Sequence, residues 1–271
     1  TPEGFPVDGT GKVETKDLGM EGLETRLTEL FGSYDGIWSV YVKDLTNDKE
    51  FQLNSQPLYS ASLIKAFVMA QTYANMDTVL QSEAAKMKKD VSDPAVSTKV
   101  NDLLWNMITV SDNDAANKLV NCLGGGDDAA GMARVNKFCQ DHGYTNTSMG
   151  RLLLADNSNG DNYTSVKDCG KFLKTIYQMD KGSAAEDTLA GAEYMYHLLK
   201  MQTRTNKIPA QLPEGVKVAN KTGELDTVEN DAGIIYDTAK GIDLVICFMS
   251  QDLNDTAAAQ NTICLLYTSP S

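Results

Sequence analysis

Val216–Met249 reads VKVANKTGELDTVENDAGIIYDTAKGIDLVICFM. Three strand-like runs lie in it, Val216–Thr222, Asp231–Tyr236 and Ile242–Met249, separated by polar, turn-forming residues. Near the other end of the chain, Trp38–Leu45 (WSVYVKDL) alternates in the strand manner. Glu50–Leu53 follows it after the turn signal Asn47-Asp48, so these two runs predict a hairpin. Most of the chain between the two groups has helical character. Strands from both ends must therefore meet in one mostly antiparallel five-stranded sheet flanked by helices, with an all-helical second lobe. The expected fold class is α/β, of the α+β type.

Working through the rest, Glu21–Phe31 places Leu23, Leu27, Leu30 and Phe31 at helical spacing before Gly32 stops it. Ala61–Leu80 reads as one long helix, so apolar at its start (SLIKAFVMA) that it must be buried on most sides. Val100–Leu123 reads as two helical stretches broken at Ser111-Asp112-Asn113, residues that favour caps and turns. Gly124–Gly126 stop the second. Ala129–His142, Ser165–Met179 and Thr188–Met201 are further helices, and Asp255 opens a last one. Arg151–Tyr163, with Asn157, Asn159, Gly160 and Asn162, predicts an irregular loop. There is no internal repeat.

Residues 1–20, with Pro2 and Pro6, read as a linker or frayed terminus, with any export signal or anchor missing upstream. Cys264–Ser271 (CLLYTSPS) resembles the translation of a transposase adapter used in sequencing libraries, as a metagenomic read running into its adapter would give. The expectation is that the natural chain stops after Ile263. One catalytic domain then covers 21–263, with an α/β lobe at about 21–60 and 205–263 and a helical lobe at about 61–204.

Composition excludes several classes. A chain of 271 residues can bury a sizeable core without a staple. With 23% charged and 42% hydrophobic residues it is no disordered chain. Its apolar runs fall far short of the ~20 residues a membrane helix needs. A net charge of −13 argues against a nucleic-acid partner. Five cysteines without a C-x-x-C pair make neither a zinc ribbon nor a disulfide scaffold. The two histidines, His142 and His197, stand in no H-x-x-x-H or H-E-x-x-H pattern, so neither metal nor cofactor is expected. A G-x-S-x-G elbow is also lacking, and Gly124–Gly126 have no following Lys-Ser/Thr.

Three short motifs remain, in this order: Ser62-Leu63-Ile64-Lys65 (S-x-x-K), Ser111-Asp112-Asn113 (S-D-N) and Lys221-Thr222-Gly223 (K-T-G). S-x-x-K alone is a weak signal. All three in order, one opening a buried helix and one ending a strand pattern, are a strong one. With them the chain resembles the class A β-lactamase family of serine hydrolases, within the penicillin-recognising superfamily. The likeness runs from about Glu21 to Ile263 and is strongest at Ser111–Gly125 (SDNDAANKLVNCLGG) and Lys221–Ile235 (KTGELDTVENDAGII).

The resemblance implies an active site in the cleft between the two lobes and an acyl-Ser62 intermediate. A serine hydroxyl needs a base. Lys65, three residues on, shares a helix face with Ser62 and can serve if burial and cationic neighbours keep it neutral. By resemblance, Ser111 relays a proton to the leaving nitrogen. Asn113 binds the substrate's side-chain amide, and Asp112 points inward as a structural residue. Lys221 and Thr222 bind the substrate carboxylate, and Gly223 lets the ligand lie on the strand edge. The oxyanion hole is the backbone N–H of Ser62 and of Glu224. S-D-N also reads as a helix N-cap, and K-T-G as a strand end before a turn.

One departure is plain. Class A enzymes deacylate with a loop glutamate that activates water. Arg151 and Asn157 have the family's spacing around that position, but Leu153 stands where the glutamate belongs. Two consequences stay open: Asp156 or another loop acid substitutes for it, or the acyl-enzyme turns over slowly. Cys122, Cys139, Cys169 and Cys247 read as buried thiols, with one disulfide among the first three as the alternative. Tyr73-Ala74-Asn75 matches a Y-x-N motif, but three turns along the Ser62 helix it cannot face the same site.

The expected function is thus opening of a β-lactam amide. The alternatives are a D-Ala-D-Ala peptidase or penicillin-binding protein, and a penicillin-sensing domain that stays acylated. The expected partner is a small β-lactam or a peptidoglycan peptide, the expected state a monomer, and the expected location outside the cytoplasm.

Overall fold

The computed structural model describes residues 19–265, apart from 159, 184, 238–240 and 242. Residues 1–18 and 266–271, which carry most of the linker and adapter expectations, lie outside the described residues. Chain order begins with α1 (Gly19–Gly32), β1 (Ile37–Asp44), β2 (Glu50–Leu53) and a short β3 (Leu58–Tyr59). Helices α2 (Ile64–Ala74), α3 (Met76–Met87), α4 (Pro94–Thr109), α5 (Asn113–Leu123) and α6 (Asp128–Asp141) follow. Then come β4 (Tyr163–Thr164), α7 (Val166–Asp180), α8 (Ala192–Lys200), β5 (Lys217–Leu225), β6 (Val228–Tyr236), β7 (Leu244–Gln251) and α9 (Thr256–Leu265).

The five long strands form one antiparallel sheet in the order β2-β1-β7-β6-β5. The expected closure of the two ends is the β1–β7 pair, with Trp38 opposite Ser250 and Val42 opposite Ile246. Period-two alternation sends neighbouring side chains to different cores. Val40, Val42, Ile246 and Phe248 join Leu27 and Phe31 of α1 and Ala259 and Ile263 of α9 on one face. Tyr41, Val245, Cys247 and Met249 join the main helical core on the other. Each large apolar side chain so buried contributes roughly 1.5–3 kcal/mol. Gly170 lets α7 lie directly on Tyr41, because a Cβ there would meet its ring at 2.4 Å.

The structure differs from the sequence reading in four places. First, the single helix expected over Ala61–Leu80 is a 3-10 turn (Ala61–Leu63) and two α-helices, broken at Asn75 (φ −130°, ψ 37°). Second, α4 begins at Pro94 rather than Val100, since Asp93 caps it and proline suits the first helical position. Third, β5 and β6 run well past the expected ends, and only Asp226 and Thr227 separate them. The polar Glu229 and Asn230, which fall between the expected strands, are buried in the ladder because they find partners there, as do Asn220 and Asp231 within the expected strands. Fourth, α7 and α8 fall in the stretch expected for the helical lobe, but they pack on the sheet, α7 against β1, β6 and β7 and α8 against β5.

Candidate active site

Three segments converge where α2 begins. The first is the 3-10 turn carrying Ser62. Ala61, just before it, adopts a left-handed φ of +46°, a conformation that costs a non-glycine residue of order 1 kcal/mol. The backbone is held by Ser60 N–H donating to Asn162 O (2.9 Å) and Leu63 N–H donating to Ser60 O (2.9 Å). One turn on, Lys65 is fully buried in the apolar start of α2.

The second segment joins α4 to α5. Asp112 caps α5 by accepting from Ala115 N–H at 2.7 Å, so the N-cap reading of S-D-N is satisfied alongside any chemistry. Ser111, immediately before the cap, has φ +62°. That turn aims its side chain and carbonyl at Lys65.

The third segment is β5. It is an edge strand, so one row of its backbone groups is not used by the sheet. That edge abuts the Ser62 turn at Gly223, where an added Cβ would stand 3.1 Å from Ser62 N and 2.9 Å from Ser60 O. A glycine is required for this approach.

The side chains meet around one amine. Lys65 Nζ lies 3.0 Å from Ser62 Oγ and 3.1 Å from Ser111 Oγ, 2.7 Å from Ser111 O and 2.6 Å from Asn113 Oδ1. Lys221 Nζ donates to Ser111 Oγ (2.9 Å) and to Thr222 O (2.8 Å), so the Ser111 hydroxyl sits between two amines. Burial pushes the Lys65 amine down to about 7, with Arg204 adding to the effect and Asp112 opposing it. Burial also drives Lys221 well down, helped by Lys65 and Arg204. Two buried amines this close cannot both hold a proton cheaply. The arrangement supplies a serine hydroxyl, a lysine able to be neutral, and a second hydroxyl bridging to another amine.

Thr222 is buried and pairs with Asp231 across the sheet. It joins the cluster through its carbonyl. Glu224 pairs with Glu229, and its side chain turns to Arg204 and Lys207 (2.9 Å each).

The Arg151–Tyr163 loop is tied down firmly. Asn117 of α5 holds both backbone groups of Leu153: Leu153 N–H donates to Asn117 Oδ1 (2.8 Å), and Asn117 Nδ2 donates to Leu153 O (3.1 Å). Arg151 is paired with Asp161 at 2.8 Å. That pair and the Asn162 N–H hold the Asp161 carboxyl below its ordinary range against the pull of burial. Asp156 is exposed and accepts from Ser158 N–H (2.9 Å). Leu153 packs against the main core.

Sequence reasoning missed Asn117 and Arg204. Asn117 was detectable, lying one helical turn beyond Asn113 on the same face. Arg204 had no local signal, because its partner Glu224 is 20 residues away on another element. Among the described residues Cys122, Cys139, Cys169 and Cys247 are buried free thiols, and no group of three or more His, Cys, Asp or Glu could hold a metal. No described helix is long and apolar enough to cross a membrane.

An antiparallel sheet backed by helices, with a serine–lysine pair opening a buried helix against an edge strand, defines a protein of the penicillin-recognising superfamily. The chain belongs to the Beta-lactamase enzyme family, whose model matches residues 22–266. No curated protein matches it. Three solved structures are similar. PBP-A has a TM-score of 0.71 at 21% identity, covering 92% of this chain and 94% of that one. It is also known as a leucine-to-glutamate mutant in an acyl-enzyme complex with penicillin G. An ancestral (GNCA) class A β-lactamase has a TM-score of 0.70 at 22% identity, covering 91% and 98%. A β-lactamase from Sphaerobacter thermophilus has a TM-score of 0.67 at 19% identity, covering 92% and 95%. At these identities the likeness establishes the fold.

Proposed function

We propose that the protein is a serine hydrolase that opens a β-lactam amide, or a peptidoglycan-like amide, through an acyl-Ser62 intermediate that is hydrolysed slowly. The observation that carries this is the Lys65 amine, buried, pushed down to about 7 and 3.0 Å from Ser62 Oγ. Neutral Lys65 takes the Ser62 proton as Oγ attacks the carbonyl carbon. The oxyanion that forms is received by the backbone N–H groups of Ser62 and Glu224. The amide C–N bond breaks as Ser111 Oγ passes a proton to the leaving nitrogen. Ser111 is re-protonated from the amines on either side of it. Asn113 and Thr222 orient the substrate's amide and carboxylate. Gly223 keeps the strand edge open to it.

Hydrolysis of the acyl-enzyme needs a second base. Leu153 has no proton acceptor, Asp161 is committed to Arg151, and Asp156 faces solvent. This favours the alternatives over a fast β-lactamase: a D-Ala-D-Ala peptidase or penicillin-binding protein, or a sensor that stays acylated. The acyl-enzyme complex of the PBP-A leucine-to-glutamate mutant with penicillin G supports acylation by a β-lactam as a step this fold carries out. Such substrates lie outside the cytoplasm, so the protein is placed there, acting as a monomer.

The test mixes the protein with a chromogenic cephalosporin and follows colour and intact mass together. One equivalent of a persistent adduct on Ser62, with little colour beyond the first turnover, is the expected result. Rapid multiple turnover would make it a β-lactamase with a deacylation base elsewhere. Absence of any adduct or turnover would refute the reading.

A further inference from the structure

A negative side chain stands beside the place where a substrate's carboxylate is expected. Glu224 follows Thr222 by two residues on β5, so both point to the same face of the strand. Its carboxylate is divided between two cations. Oε1 accepts from Lys207 Nζ and Oε2 from Arg204 Nη1, each at 2.9 Å.

The two cations are not equivalent. Lys207 is fully buried and is matched by Glu229 Oε2 at 2.8 Å, while its amine also meets the carbonyls of Gly223 and Asn230. It is structural, stitching the segment before β5 to the β5–β6 ladder. Arg204 is half-exposed (44%) and faces Glu224, which is 30% exposed. This pair lies at the edge of the cleft, since Glu224 directly follows Gly223, which abuts the Ser62 turn, and Arg204 Nη1 is 2.9 Å from the Glu224 carboxylate. Burial would raise the Glu224 carboxyl. The Lys207 hydrogen bond and the fields of Lys207, Arg204 and Lys221 outweigh that and hold it ionised, below its ordinary range.

We propose that Glu224 is a specificity-determining residue: its side chain is an internal carboxylate that occupies Arg204, and a substrate carrying its own carboxylate at Thr222 must take Arg204 from it. This rests on the reading of Ser62 as the acylated nucleophile. As built, the corner beyond Thr222 is electrically balanced rather than positive. It disfavours anionic substrates and spares those whose carboxylate is absent, esterified or amidated. Residues two apart on a strand are about 7 Å apart, and repulsion over that distance at a half-exposed site amounts to roughly a tenfold change in rate.

The experiment compares second-order acylation of Ser62, by intact mass and chromophore release, for a cephalosporin with a free carboxylate and for its neutral ester. Glu224→Gln keeps the size of the side chain and the backbone N–H. It should raise the ratio of free-acid to ester acylation about tenfold, mainly through the KM of the acid. Arg204→Ala also lets the Lys65 amine rise and so slows both compounds at neutral pH, but it should lower the acid-to-ester ratio and shrink that ratio's gain in the double variant. Reaction of the ester serves as the internal measure of folding in every variant. Equal effects on acid and ester, or none on the acid, would overturn the proposal while leaving acyl-Ser62 intact. Failure of the wild type to react with either compound would overturn both.

Discussion

Acylation of Ser62 should follow the titration of Lys65. The amine loses its water on burial among Leu63, Phe67 and their neighbours, which brings it from 10.5 to about 7. Only the neutral form has a lone pair for the Ser62 proton. With a midpoint near 7, the neutral fraction is about 1% at pH 5, 9% at pH 6, half at pH 7 and 90% at pH 8. The second-order acylation rate should therefore rise about tenfold from pH 5 to 6 and level off above pH 8. An unperturbed lysine would drive a rise continuing past pH 10. Lys65→Arg fixes the charge and should remove the pH-dependent limb with most of the rate, whereas Arg204→Ala relieves a repulsion and should move the midpoint upward.

Stability gives the complementary reading. A folded-state lysine held below its unfolded value means that the unfolded chain binds more protons between pH 7 and 10.5. The penalty is thus full below pH 7, of order 5 kcal/mol for a shift of this size, and disappears as the pH climbs to 10.5. Single-turnover mixing with a chromogenic cephalosporin, at pH values from 5 to 9.5, measures the first effect, and urea melts over the same range measure the second. A flat acylation profile, or a midpoint above 9, would refute the assignment of Lys65 as the base.

Two further outcomes follow from distances. Leu153→Glu places a carboxylate on a backbone already fixed by Asn117, and a positioned general base is worth about 10²–10⁴-fold, so the Ser62 adduct should shorten its lifetime by that order. An unchanged adduct lifetime by intact mass would show that this position does not address the ester. Gly223→Ala brings a methyl to 3.1 Å from Ser62 N and 2.9 Å from Ser60 O, forcing the strand edge off the oxyanion donors. Acylation should fall about 10²-fold, as for the loss of one such donor, with a small change in Tm. A full-rate variant would mean that the hole lies elsewhere.

Much of the architecture was legible because its signals are local. The alternation in Trp38–Leu45 and the glycine stops are properties of adjacent residues and mark elements close to their expected bounds, while the apolar run of SLIKAFVMA marks a buried helix without showing where it starts or breaks. The three motifs were legible because each is held within four residues. What escaped depends on partners far along the chain. Glu229 and Asn230 look like turn residues until their partners in the Lys207 segment and the Tyr59–Ser60 turn are present. The Asn75 break is set by a backbone conformation that no neighbouring glycine or proline announces.

The same limit explains why the strained backbone at the site was invisible. Ala61, Ser111 and Leu154 all hold left-handed φ values, of +46°, +62° and +66°, and none is a glycine. They sit respectively just before Ser62, at Ser111 itself and just after Leu153. Each costs of order 1–3 kcal/mol, so all three need the surrounding contacts to enforce them. At Leu154 the strain also leaves an apolar side chain 78% exposed. This bears on the missing glutamate. A loop that had simply decayed would have relaxed its backbone and released its ties. Here the Asn117 clamp on Leu153 and the Arg151–Asp161 pair remain beside the strained turn. The loop thus keeps restraints that would position a longer side chain at Leu153. On the proposed reading, slow deacylation is the property of one side chain, and for that reason one substitution is a sufficient test of it.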